Sequence, residues 1–285
     1  MREVPELPVG RLGTRDITLS GFQQSLDVGF RILPWIGVYG FARGVIITGT
    51  DADSLLVDGA SFDFVMSGGG VLRLLREEST GTQLTLRFRV GYSQGREIPI
   101  QPFVQALINT PAAMLIDVIG GQLGSLILVP TRETTFNGGL YLAQAIVPML
   151  SLQAGASLEH ADQTREPYDL MMRRRIESQT SALRGELAIA VELALLPLKV
   201  PVSLMAEFVQ LLGKQTEMDE LDHDLSSSSI GLGIYYTGRP NLQLGIGGVT
   251  TLHAEPRRGI GPSGNTEYSG APTLIYGDLI LRYIW

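Results

Sequence analysis

Arg87 and Arg89 stand two residues apart, Arg184 and Glu186 two apart, Glu186 and Glu192 six, and Asp278 and Arg282 four. Glu207 shares the same even register with Met205 and Val209. Even spacing puts side chains on one face of a β-strand, so these charges mark polar strand faces. Tyr235 and Tyr276 fall on such faces as well. Mixed signs at this density build a salt-bridged interior more readily than an ion-selective ring. The other candidate chemistry is at histidine. His160 follows Ser157 by three residues, His223 is flanked by Asp222 and Asp224, and His253 opens a polar stretch. No catalytic elbow frames Ser157. No zinc, EF-hand, P-loop or dinucleotide-binding spacing is present, so neither a cofactor nor a metal is expected. With no cysteine in the chain, disulfides, thiolate catalysis and thiolate metal sites are all excluded.

The opposite faces of the same strands are apolar. Leu84, Leu86, Phe88, Val90 and Tyr92 oppose Thr85, Arg87, Arg89, Gly91 and Ser93. Leu183, Leu187, Ile189, Val191, Leu193 and Leu195 oppose Arg184, Glu186, Ala188, Ala190, Glu192 and Ala194. Shorter alternations cover Leu150 to Glu159, Ile230 to Tyr236 and Leu242 to Gly247. Several hold for about ten residues, the span a tilted strand needs to cross a bilayer. Soluble strands are usually about half that length.

The final segment, Thr273 to Trp285, alternates in the same way and ends on two aromatics, Tyr283 and Trp285. It resembles the C-terminal targeting strand of Gram-negative outer-membrane β-barrel proteins. That resemblance implies insertion by the barrel-assembly machinery through this strand, contact with outer-membrane lipid and lipopolysaccharide, and a bacterial outer-membrane location. Met1 to Pro8 has no apolar core of a signal peptide, so a leader is expected to have been removed.

Composition agrees with a membrane barrel. The 285 residues are 44% hydrophobic and only 18% charged, with 34 glycines and a mean hydropathy of +0.17. No run approaches the roughly 18 apolar residues of a membrane helix. A barrel produces this balance because every second residue faces the lumen. The net charge of −7 and the lack of a basic patch exclude a nucleic-acid partner.

The expected architecture is all-β: a transmembrane, antiparallel, up-and-down barrel over 26–285, of about twelve strands, with ten the lower count. Residues 1–25 are expected as a periplasmic or lumenal tail. Counting back from a periplasmic Trp285, connections should alternate long and short. His253 to Pro272, Gly213 to Ser226 and Ala161 to Thr180 are the long external loops. Thr237 to Asn241, Leu196 to Pro201 and Val147 to Leu150 are the turns. Farther upstream, Gly121 to Val129 reads as a separate strand and Glu77 to Thr82 as an external turn. Val28 to Thr48 reads as two strands broken near Pro34 or as one.

Ile98 to Gly121 breaks the alternation. Pro102 and Pro111 suit helix starts, Thr110 an N-cap and Gly120-Gly121 a stop. Two short apolar helices within 102–119 are expected. By the parity above they leave the periplasmic end and serve as a plug or periplasmic cap, with Phe103, Leu107, Met114, Leu115 and Ile119 as gate residues.

Arg87, Arg89, Arg184, Glu186, Glu192, Glu207, Tyr235, Tyr276, Asp278 and Arg282 are the expected lumen-lining residues. Between them lie small residues and the apolar Met205, Val209, Leu211, Ile280 and Ile284. A partly oily lumen implies a channel, transporter or binding barrel for a small hydrophobic ligand rather than a water-filled porin. In style alone it resembles the fatty-acid-transporter barrels. The competing reading is a rim-active hydrolase. Asp222-His223-Asp224 resembles the external Asp/His pairs of omptin proteases, though the remaining omptin motifs are not recognisable; Ser157 and His160 would suit a lipase. A solvated acidic loop bridging lipopolysaccharide through divalent cations explains the Asp-His-Asp run as simply. A structural or adhesive barrel is a third alternative.

Overall fold

The period-two alternation becomes strand almost throughout. The computed structural model describes residues 1–8, 14–51, 54, 59–98, 128–166, 168–169, 174–217, 223–239, 242–254, 258–260 and 266–283. In chain order the strands are β1 (Arg2–Pro8), β2 (Thr14–Leu33), β3 (Ile36–Gly49), β4 (Ala60–Glu77), β5 (Thr82–Ile98), β6 (Val129–Val147) and β7 (Leu150–Arg165). They continue as β8 (Tyr168–Asp169), β9 (Arg174–Arg175), β10 (Ser178–Ala194), β11 (Val202–Glu217), β12 (His223–Arg239), β13 (Leu242–Leu252), β14 (Arg258–Ile260), β15 (Thr266–Tyr268) and β16 (Thr273–Tyr283). Twelve of them close into one barrel in the order β1-β16-β13-β12-β11-β10-β7-β6-β5-β4-β3-β2. Every neighbouring pair is antiparallel. The pairs β8–β9 and β14–β15 are small separate ribbons within connections.

The barrel is apolar on the outside. Phe88, Val90, Tyr92, Leu183, Leu187, Ile189, Leu232, Ile234 and Ile246 are all exposed. Among the described residues, by contrast, buried apolar side chains gather in two small clusters, Val4, Leu7, Ile17 and Leu19, and Ala161, Ala182 and Leu225. An apolar belt this continuous is stable only against hydrocarbon.

The belt also has an edge. On β5 the outward series runs Phe88, Val90, Tyr92 and then turns polar at Gln94 and Arg96. On β6 it runs Leu140, Phe136 and then Thr134 and Arg132. On β7 it passes from Leu158 to His160 and Asp162. The strands therefore project beyond the bilayer at one end. β4 has 18 residues, β5 has 17 and β6 has 19, against the roughly ten that span hydrocarbon.

Connections 9–13, 50–59, 99–128, 166–177, 218–222 and 253–272 all leave that upper end. Connections 34–35, 78–81, 148–149, 195–201 and 240–241 leave the lower end. Two expected long loops are thus largely strand. β7 runs to Arg165 and β10 starts at Ser178; β11 runs to Glu217 and β12 starts at His223. Ladder hydrogen bonding simply continues past the bilayer.

Three sequence expectations change. Residues 1–25 are not a tail: β1 and the start of β2 are barrel strands, held by burial of Val4 and Leu7 against Ile17 and Leu19. Pro5 is accommodated at a register shift between Val4 and Leu7, with Glu6 at φ 52°. Second, a single strand, β6, runs from Val129 to Val147, and removing one strand from the count reverses the parity upstream. The turn at 78–81 therefore belongs to the lower end, and connection 99–128 leaves the upper end rather than the periplasmic one. Third, the two helices expected over 102–119, with Phe103, Leu107, Met114, Leu115 and Ile119, fall outside the described residues. Nothing described supports a plug. Pro34-Trp35 does break Val28 to Thr48 into two strands.

Candidate functional site

Strand register assembles the lumen site. Arg89 on β5 pairs in register with Asn137 on β6, Asn137 with Glu159 on β7, and Glu159 with Arg184 on β10. These four side chains form one inward row across four strands. Glu159 accepts from Arg89 Nη2 at 3.0 Å and from Arg184 Nη1 at 3.4 Å. One carboxylate thus holds two guanidiniums, the charge-assisted arrangement that favours fixed geometry.

The next row toward the lower end is Arg87, Gly139, Ser157 and Glu186. Gly139 packs close to β7, where an added Cβ would come within 2.6 Å of Ser157 Cβ, and the Arg87 guanidinium lies 4.7 Å from the centre of the Tyr141 ring, a cation–π contact. Asn137 Nδ2 donates to Ser157 Oγ at 3.4 Å. Tyr39 on β3 donates from its hydroxyl to the Phe88 carbonyl at 3.3 Å.

Two cavities flank the bridge. The one nearer the upper end, about 510 Å³, includes Phe41, Arg43, Val65, Asp63, Glu133 and Gln163 in its wall. The lower one, about 410 Å³, includes Asp27, Tyr39, Val71, Arg87, Tyr141 and Glu186. Arg89, Glu159 and Arg184 line both. The ion-paired triad therefore lies where the two lumen cavities adjoin, along the stretch of wall formed by β5, β6, β7 and β10. In the upper chamber Arg43 lies 5.7 Å from the Phe41 ring centre, and its buried Nε has no hydrogen-bond partner. Near the upper rim Arg165 pairs with Glu97. A further hollow of about 550 Å³, lined by Leu204, Leu232, Ile234 and Ile246 among others, includes much of the outer belt, where acyl chains would fill it.

Of the expected lumen residues, Arg87, Arg89, Arg184 and Glu186 meet in these chambers. Glu192 on β10, Glu207 on β11, and Tyr276 and Asp278 on β16 are not among the residues lining either chamber. Tyr235 is buried, its ring flat against Gly233: a Cβ added at Gly233 would come within 2.7 Å of it. Arg282 holds an even-register position on β16, across from Gln243. Ile284 lies outside the described residues. Sequence reading missed Arg43, Asp63, Glu133 and Glu159 as site residues. Asp63, Glu133 and Glu159 sit in even register with other polar residues of their strands, a signal that was available, whereas Arg43 shares its register with Phe41, Val45 and Ile47.

The histidine pairings do not assemble among the described residues. Ser157 points into the lumen, whereas His160 points outward and meets Asp162 Oδ2 at 3.2 Å on the barrel exterior. Asp222 and the His223 side chain lie outside the described residues. No group of three or more His, Asp or Glu able to hold a metal occurs among the described residues.

No family model matches the chain, and no curated protein matches it. Among solved structures, the transport unit of the autotransporter AIDA-I from Escherichia coli aligns over 100% of this chain and 88% of its own, with a TM-score of 0.50 and 12% identity. This is the outer-membrane β-barrel fold. The beta domain of the Bordetella autotransporter Brka aligns over 100% and 97% at a TM-score of 0.48 and 12% identity. The Pseudomonas putida toluene transporter TodX aligns over 82% and 74% at 0.38 and 9%.

Proposed function

We propose that this barrel resides in the bacterial outer membrane and transports a small, partly apolar molecule that also carries a charged or strongly polar group. The observation that carries the reading is the Arg89–Glu159–Arg184 bridge that lines two adjoining lumen chambers. A barrel packed solid for strength alone has no use for chambers above and below one ion-paired bridge. Phe41, Val45, Val65, Val71 and Leu211 offer apolar surface to a ligand. The arginines and carboxylates beside them offer both signs of charge. This keeps the hydrophobic ligand expected from sequence and adds a polar group to it. The apolar belt fits lipid, and the polar exterior above it, at Gln94, Arg96 and Arg132, fits lipopolysaccharide. β16 is the strand that the assembly machinery would read.

Swelling of liposomes that hold the refolded barrel tests this. Phenylalanine combines an apolar ring with both charges; mannitol is a neutral polyol of similar mass. Faster swelling in isosmotic phenylalanine than in mannitol is expected. Equal or reversed rates would contradict the ligand class, and no swelling in either would contradict transport.

A further inference from the structure

The upper chamber holds matched charges that are unevenly paired. Arg43, Arg89 and Arg184 line it, and so do Asp63, Glu133 and Glu159. Equal numbers of opposite charge favour a neutral occupant over a net ion. Glu159 takes Arg89 and Arg184 together. Arg43, Asp63 and Glu133 remain, and none of them forms an ion pair among the described residues.

Register keeps these three apart. Arg43 on β3 is level with Val65 on β4, Val65 with Ser93 on β5, and Ser93 with Glu133 on β6. At about 4.8 Å per strand, the backbones of Arg43 and Glu133 stand about 14 Å apart along the wall. Asp63 is nearer, diagonal to Arg43 across the β3–β4 pair and within reach of a long side chain. Its carboxylate lies instead over Gly95 on β5, beside Thr131 Oγ1, where a Cβ on Gly95 would collide with both. That direction leads away from β3.

Arg43 is left without an acceptor. Its Nε is buried with no hydrogen-bond partner, and its guanidinium lies 5.7 Å from the Phe41 ring centre, near the limit of a cation–π contact. A charged donor group left unsatisfied is costly. A carboxylate meets a guanidinium with two parallel bonds. Apolar surface gathers around this same side chain. On the inward face of β3, Phe41 is one level below Arg43 and Val45 one level above, with Val65 beside it on β4.

We infer that the upper chamber binds an apolar α-amino acid as its zwitterion. Arg43 receives the carboxylate and Glu133 the ammonium, while Phe41, Val45 and Val65 contact the apolar side chain. The ligand closes the gap that register leaves between Arg43 and Glu133. A net anion would leave the free carboxylates unanswered, and a net cation would leave Arg43 so. The inference rests on the reading of this barrel as one that takes a partly apolar, charged ligand, and it assigns the two charged ends of that ligand to named residues.

Fluorine NMR of para-fluorophenylalanine, titrated with the refolded, unmodified barrel in dodecyl maltoside, tests the site without requiring transport. Saturable line broadening that phenylalanine reverses is expected. Para-fluorophenylpropionate lacks the ammonium and para-fluorophenethylamine lacks the carboxylate. Each should bind at least about tenfold more weakly, the loss of one charged hydrogen-bonded contact. Arg43→Gln should weaken the amino acid by a similar factor and leave the amine unchanged. Glu133→Gln should weaken the amino acid and leave the propionate unchanged. Binding and liposome swelling fail separately: saturable binding without swelling would contradict transport and leave the site standing, whereas swelling without saturable binding would contradict the site alone. Equal binding of all three probes by the unmodified chain would overturn the inference even if neither variant folds. So would a folded Arg43→Gln barrel that binds the amino acid as the parent does.

Discussion

Glu159 stands between Arg89 and Arg184, binding one at 3.0 Å and the other at 3.4 Å. The two arginines come from strands three positions apart around the barrel wall, β5 and β10, with β6 and β7 between them. Only a continuous register across those four strands brings the groups together. A carboxylate that satisfies two guanidiniums is a stronger constraint than a single exposed pair, which contributes little. Its loss leaves two positive groups on one stretch of wall without the carboxylate that joins them.

The apolar belt fixes the physical state. In buffer without detergent the chain should be insoluble. Refolded in detergent, it should migrate faster on gels unheated than boiled, because a closed hydrogen-bonded barrel stays compact in mild detergent. A monodisperse protein in plain buffer would contradict the assignment of the outer face.

Ile189 and Ala190 test that assignment on a single strand. Ile189 is 54% exposed on the belt, and Ala190 turns inward opposite Glu207. Ile189→Arg should destabilise the barrel by about 2–4 kcal/mol if near the midplane, read from urea unfolding in lipid vesicles. Ala190→Arg should fold with a much smaller loss, since its face is polar. Equal losses would mean that β10 does not span the bilayer.

Gly233 lies beneath the Tyr235 ring, which leaves 2.7 Å to an added Cβ. Gly233→Val should cost about 1–3 kcal/mol through overpacking. In the Tyr235→Ala background the same change should cost less, because the obstructing ring is gone. Additive losses in the double-mutant cycle would show that the ring does not rest on this glycine.

Much of this fold was legible in the sequence because strand alternation is local. Phe88 against Arg89, Ile189 against Ala190 and Leu279 against Asp278 each reveal which face meets lipid without any tertiary knowledge. Repeating that pattern gave about ten to twelve strands, and the preference of membrane barrels for even numbers favoured twelve. What stayed hidden depended on pairing between distant segments. Nothing local to Glu159 says that Arg89, seventy residues earlier, shares its row. The N-terminal strand was concealed by Pro5 and Pro8, which read as strand breakers but sit where a register shift and a strand end admit them. Parity failed between β5 and β6, which pair directly across a single connection and so turn every upstream connection over; most of Gly121 to Val129 lies outside the described residues.

The account stands or falls most directly on single-channel conductance of the Glu159→Gln barrel in planar bilayers. Glutamine keeps the size of the side chain and removes the charge that holds Arg89 and Arg184 together. The account predicts a folded, heat-modifiable barrel with conductance above the parent's, as the bridge opens and the chambers join. Conductance indistinguishable from the parent's, in a barrel that folds normally, would show that the bridge does not close the lumen and would contradict the gated-transport reading.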